Sequence, residues 1–131
     1  MLIIDDEQLV RRTLRRILER LGHDVSEAAD GAAGYQVYAG DPRDVVICDM
    51  MMPVLDGLAT LRQLREAFPR VRFIAMSGGA RTSTGSFLDV AAQMGASATL
   101  SKPFSKATVL DALASVLADA LTAPPCHLED A

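Results

Sequence analysis

The stretch VVICDMMMPVLDG, running from Val45 to Gly57, decides how the rest of the chain is read. Four apolar residues in succession, three of them β-branched, suit a strand hidden on both faces, and such strands belong to parallel sheets. Asp49 comes directly after them. A carboxylate at the end of a hidden strand calls for a compensating partner, because an isolated buried charge is costly.

Outward from this strand, short apolar runs alternate with helical periodicity. Leu2 to Ile4 reads as a first strand. Leu9, Val10, Leu14, Ile17, Leu18 and Leu21 mark an amphipathic helix that Gly22 stops. Asp24 to Ala28 is a weak second strand, Gly31 to Ala39 a short second helix, and Gly40 to Pro42 a turn. Beyond Gly57, the residues Leu58, Leu61, Leu64 and Phe68 form a third helix ending before Pro69. Val71 to Met76 is the fourth strand. Ser77 to Ser86 is rich in glycine and hydroxyl residues and reads as a mobile loop, leading into a helix through Leu88, Val90, Ala91 and Met94. Ser97 to Ser101 is a fifth strand, and a last helix runs from near Ser105 to Leu121. Residues 122–131, with Pro124 and Pro125 adjacent, read as a loose tail after a single domain over residues 1–121. Five strands alternating with five helices give an α/β class, a doubly wound parallel sheet covered on both faces by right-handed crossovers.

The bulk numbers fit this reading. A chain of 131 residues is the size of one domain. Its net charge of −4 argues against general affinity for the phosphate backbone of nucleic acid. No apolar run approaches the roughly 20 residues of a membrane helix and no signal segment is evident, so a cytoplasmic location without membrane insertion is expected. Cys48 and Cys126 are far apart and form no C-x-x-C pair, so neither a disulfide framework nor a zinc site is expected. His23 and His127 stand in no ligand pattern, and the six methionines read as adaptable packing.

In a doubly wound sheet, ligands bind at the carboxyl ends of the strands. Strand one ends in Asp5 and Asp6, strand three in Asp49, strand four in Ser77 and strand five in Lys102. Each aspartate alone also reads as a helix cap or a plain strand end. Together they make converging carboxylates that a cation would relieve, and hard oxygen donors without histidine or thiolate suit Mg²⁺. A carboxylate beside Mg²⁺, an ammonium and a hydroxyl has the parts for phosphoryl transfer. Adjacent Asp5 and Asp6 read as a paired metal site, which leaves Asp49 as nucleophile.

The segments IIDDE, DMMMPVLDG, MSGG and SKPF, in this order and spacing, resemble the signatures of the response-regulator receiver domain of two-component signalling. The likeness extends to about Leu121 and implies a flavodoxin-like sheet of order 2-1-3-4-5. It implies that Asp49 is the phosphoacceptor, that Asp5, Asp6, Asp49 and the backbone carbonyl of Met51 bind Mg²⁺, and that Ser77 and Lys102 are the switch hydroxyl and the family's lysine. It further implies a sensor histidine kinase or histidine phosphotransfer protein as phosphodonor, a downstream protein target, and no enzymatic turnover beyond the chain's own phosphorylation and dephosphorylation. A stand-alone regulator is the expected organisation. Two readings compete: a receiver-fold interaction module that is not phosphorylated, and an aspartyl-phosphate phosphatase of the haloacid dehalogenase type. The latter wants a second acid where Met51 stands. The chain departs from the family at Thr99, where an aromatic residue is usual, and has Met51 and Gly79 at the positions that tune phosphoryl loss. Arg11, Arg12, Arg15, Arg16 and Arg20 give the first helix a basic face, which reads either as a solvated face balanced by Glu19 or as a docking surface for an acidic partner.

Overall fold

The computed structural model describes residues 1–42, 44–50, 57–77, 95–102 and 104–122. Five strands, β1 (Leu2–Ile4), β2 (Ser26–Ala28), β3 (Val46–Asp49), β4 (Phe73–Ser77) and β5 (Ala98–Ser101), form one parallel sheet in the order β2-β1-β3-β4-β5. Among the described residues the helices are α1 (Gln8–Arg20), α2 (Gly31–Gly40), α3 (Gly57–Ala67) and α4 (Lys106–Thr122). The helix expected through Leu88 to Met94, the Gly79 and Met51 positions, and the tail from residue 123 lie outside the described residues. None of the helices is long and apolar enough, among the described residues, to cross a membrane.

Alternation along each strand builds two cores from one sheet. Leu2, Ile4, Val46, Cys48, Phe73 and Ala75 face α2 and α3 with Tyr38, Leu61 and Leu64. Ile3, Ile47, Ile74, Met76 and Leu100 face the other way, onto Leu14 and Leu18 of α1 and Val109, Leu113 and Val116 of α4. Burial on both sides is why these strands read as unbroken apolar runs. Cys48 is buried in the core, where its thiol donates to the Asp49 carbonyl at 3.3 Å.

The ends of the helices are set locally. Gly22 takes φ +90, and its amide and that of His23 close onto the carbonyls of Glu19 and Leu18, which gives α1 a Schellman stop. Asp30 caps α2 through the amide of Ala33 at 2.8 Å, and Ser105 and Thr108 cap α4 reciprocally. Gly57 starts α3 against the end of β3. A Cβ there would stand 2.5 Å from the carbonyl oxygen of Asp49, a backbone clash that only glycine avoids.

Candidate functional site

Parallel register gathers the polar strand ends. Ile4 pairs with Cys48, Asp49 with Met76, and Ser77 with Ser101. Asp5, Asp49 and Ser77 therefore lie within one residue step of each other on neighbouring strands. Lys102 follows β5 directly, and its amide donates to the Ser77 carbonyl at 2.7 Å.

Asp5 is fully buried and uses every polar atom. Its amide donates to the Ala28 carbonyl at 3.1 Å. One carboxylate oxygen accepts from the Glu7 amide at 2.9 Å, and the other from Lys102 Nζ at 2.9 Å. Its carbonyl accepts from Arg11 at 2.6 Å. Glu7 occupies the N-cap position of α1 without a side-chain cap bond, so Asp5 serves the loop before the helix rather than capping it.

Asp49 is also buried, and its Oδ2 lies 3.3 Å from the same Lys102 ammonium. Burial works against the charged form of Lys102. The hydrogen bond to Asp5 and the charges of Asp5 and Asp49 outweigh it, so the amine's pKa stands above its ordinary value. Ser77 is 2% exposed. Carboxylate oxygens of Asp5, Asp6 and Asp49 all lie within 4.8 Å of one another, with Asp6 reaching solvent. Three carboxylates against one ammonium leave the cluster negative, and its donors are hard oxygens. The residues present fit a divalent cation.

The structure therefore brings Asp5, Asp6, Asp49, Ser77 and Lys102 to one sheet edge. It also divides the basic face of α1. Arg11 and Arg15 turn toward β2, where Glu27 accepts from Arg11 Nε at 3.1 Å and from Arg15 at 2.7 Å. The Arg15 contact and that of Arg11 hold the Glu27 carboxyl below the usual glutamate range, against the effect of burial. Arg12, Arg16 and Arg20 stay exposed. Glu27 is the residue that sequence reasoning missed, because the short β2 carries no signal that pairs it with α1. The signal was present in Arg11 and Arg15, one helical turn apart, although Arg15 also pairs with Glu19 four residues on.

The receiver-domain family model, described as the response regulator receiver domain, matches residues 1–114. The chain belongs to this family. Sensor kinase CckA of Brucella abortus is 37% identical over 106 residues, covering 79% of this chain and 11% of that protein. Response regulator MprA of Mycolicibacterium vanbaalenii is 47% identical over 64 residues, 49% of this chain and 28% of that protein. The receiver domain thus spans well under half the length of these two relatives. Among solved structures, a response regulator receiver domain protein of Clostridium thermocellum superposes with a TM-score of 0.80 at 26% identity, covering 93% of this chain and 97% of that one. A CheX-CheY-BeF3-Mg complex of Borrelia burgdorferi gives 0.80 at 28% identity, covering 88% and 87%. The departure at Thr99 is visible in the fold. Thr99 is exposed on β5 and lines an open groove of about 540 Å³ with Ser101, Thr108, Asp111 and Ser115 of the receiver domain.

Proposed function

We propose that this receiver domain takes a phosphoryl group from a phosphohistidine onto Asp49 with Mg²⁺, and signals by conformational change or hands the group onward. The observation that carries the reading is the Lys102 ammonium held between the buried carboxylates of Asp5 and Asp49 beside the exposed Asp6. An oxygen of Asp49 attacks phosphorus, and the O–P bond forms as the N–P bond of the donor breaks and the imidazole leaves. When bound through Asp5, Asp6, Asp49 and the Met51 carbonyl, Mg²⁺ supplies positive charge to the transferring oxygens. Lys102 contributes a second cation from the end of β5. The Ser77 hydroxyl, one register step from Asp49, donates to a phosphoryl oxygen. The chain acts on its own Asp49 and turns over no other substrate.

The phosphodonor is a sensor histidine kinase or a histidine phosphotransfer protein. Its docking surface includes the outer stripe of α1, where Leu9 is 76% exposed and Arg12, Arg16 and Arg20 follow at helical spacing. Arg12→Glu with Arg16→Glu should slow transfer from an acidic phosphohistidine partner by about tenfold or more at low salt. Transfer from acetyl phosphate should be unchanged, and an equal loss with both donors would place the effect in the site instead.

Beryllofluoride, a mimic of the phosphoryl group, tests the assignment. One equivalent should bind per chain in Mg²⁺ and none in EDTA, read by fluorine NMR. Binding that ignores Mg²⁺, or no binding at all, would leave the fold as an interaction module.

A further inference from the structure

Arg11 and Glu27 have no part in the phosphoryl chemistry above, yet they reach the acidic cluster through the backbone. Arg11 uses two arms of its guanidinium: Nε donates to Glu27 at 3.1 Å and Nη1 donates to the Asp5 carbonyl at 2.6 Å. Glu27 gives its second oxygen to Arg15 at 2.7 Å, so both of its oxygens are engaged. The two side chains are sheltered, at 15% and 21% exposure.

The Asp5 carbonyl belongs to the peptide unit that joins Asp5 to Asp6. A peptide unit is planar and moves as one body, so holding this carbonyl fixes the Cα of Asp6. Asp5 is already locked by its amide, by Glu7 and by Lys102. The Asp6 carboxylate has no protein partner among the described residues, so its direction depends on the backbone beneath it. An arginine side chain is long and loses considerable rotamer freedom when it is held. A charged bond to Glu27 on β2 keeps the guanidinium in place.

We propose that Arg11 and Glu27 are positioning residues for a divalent cation, a strut from β2 through α1 that aims the Asp5-Asp6 step at the metal position. This rests on the receiver reading of the site. Outer partners of metal ligands typically change metal affinity by about ten- to a hundredfold. Arg11→Ala and Glu27→Gln should therefore each weaken Mg²⁺ binding about tenfold in calorimetric titration of the whole chain. Because Glu27 acts through Arg11, the double variant should lose no more than Arg11→Ala alone. Arg11→Lys, with one ammonium to serve two acceptors, should fall between wild type and Arg11→Ala. Arg15→Ala, which leaves the Arg11 contacts intact, should bind nearly as wild type.

Thermal melts in EDTA on the same proteins separate positioning from general stability. Variants that melt lower but bind Mg²⁺ like wild type would overturn the strut, as would losses that add in the double variant. Wild-type chain that binds no Mg²⁺ would overturn the receiver reading itself, a result that the variants cannot imitate.

Discussion

Lys102→Met lowers the stability of the metal-free protein by about 3 kcal/mol at neutral pH, the usual cost of removing one partner from a buried charge group. Methionine keeps the length and apolar stem of lysine and removes the charge. Asp5 and Asp49 are buried, and each places an oxygen on the same ammonium, at 2.9 and 3.3 Å. Without that ammonium the folded protein must hold repelling carboxylates or take up a proton. The signature is in the metal dependence. A divalent cation restores positive charge to the same cluster, so Mg²⁺ should raise the melting temperature of Lys102→Met more than that of wild type. Denaturation in EDTA and in saturating Mg²⁺ measures both. A variant as stable as wild type in EDTA would mean that Lys102 does not compensate these carboxylates.

Asp49→Asn abolishes phosphoryl uptake while leaving the fold intact. The amide has nearly the same shape and sits at the end of β3, where the backbone pairing to β4 does not depend on the side chain. It is a far weaker nucleophile than the carboxylate, and in this fold no other carboxylate of the cluster replaces it. Asp5 is buried and held by Lys102 and the Glu7 amide, and Asp6 lies toward solvent. The change also removes one of three negative charges, so the metal-free variant should be as stable as wild type or more so, while Mg²⁺ binds more weakly. Labelling with acetyl phosphate, together with a urea melt, reads both parts. Continued labelling of Asp49→Asn would move the acceptor elsewhere.

Much of this site was legible because of how a parallel sheet is made. Strands covered on both faces are written as continuous apolar runs, so the first polar residue after each run marks the functional edge. Asp5 and Asp49 announce themselves in this way, and Ser77 closes β4 with the same abruptness, whereas Lys102 follows the short, partly exposed β5 and stands out only as the charge at its end. The helix α1 was equally plain, from the spacing of Leu14 and Leu18 and the glycine that stops it.

Glu27 was not legible as a partner. It stands in a strand of three residues with no hydrophobic signature, and its arginines lie 16 and 12 positions earlier in the chain. Only the pairing of β1 with β2 and the packing of α1 across them bring these charges together. For the same reason the five arginines of α1 looked alike. Period alone separates an outer stripe from an inner one, but it does not reveal that the strand beside the inner stripe carries an acid. Gly57 shows a third limit: the close approach of the start of α3 to the Asp49 carbonyl is a tertiary contact with no local signature.

The central claim is that the acidic cluster at the sheet edge is a Mg²⁺-dependent phosphoryl site whose acceptor is Asp49. Wild-type chain incubated with acetyl phosphate, with Mg²⁺ or with EDTA, and examined by intact-mass and peptide mass spectrometry, tests it most directly. The account predicts one added phosphoryl group per chain, only with Mg²⁺, on the peptide containing Asp49. No added group, incorporation that persists in EDTA, or a modified residue other than Asp49 would contradict it.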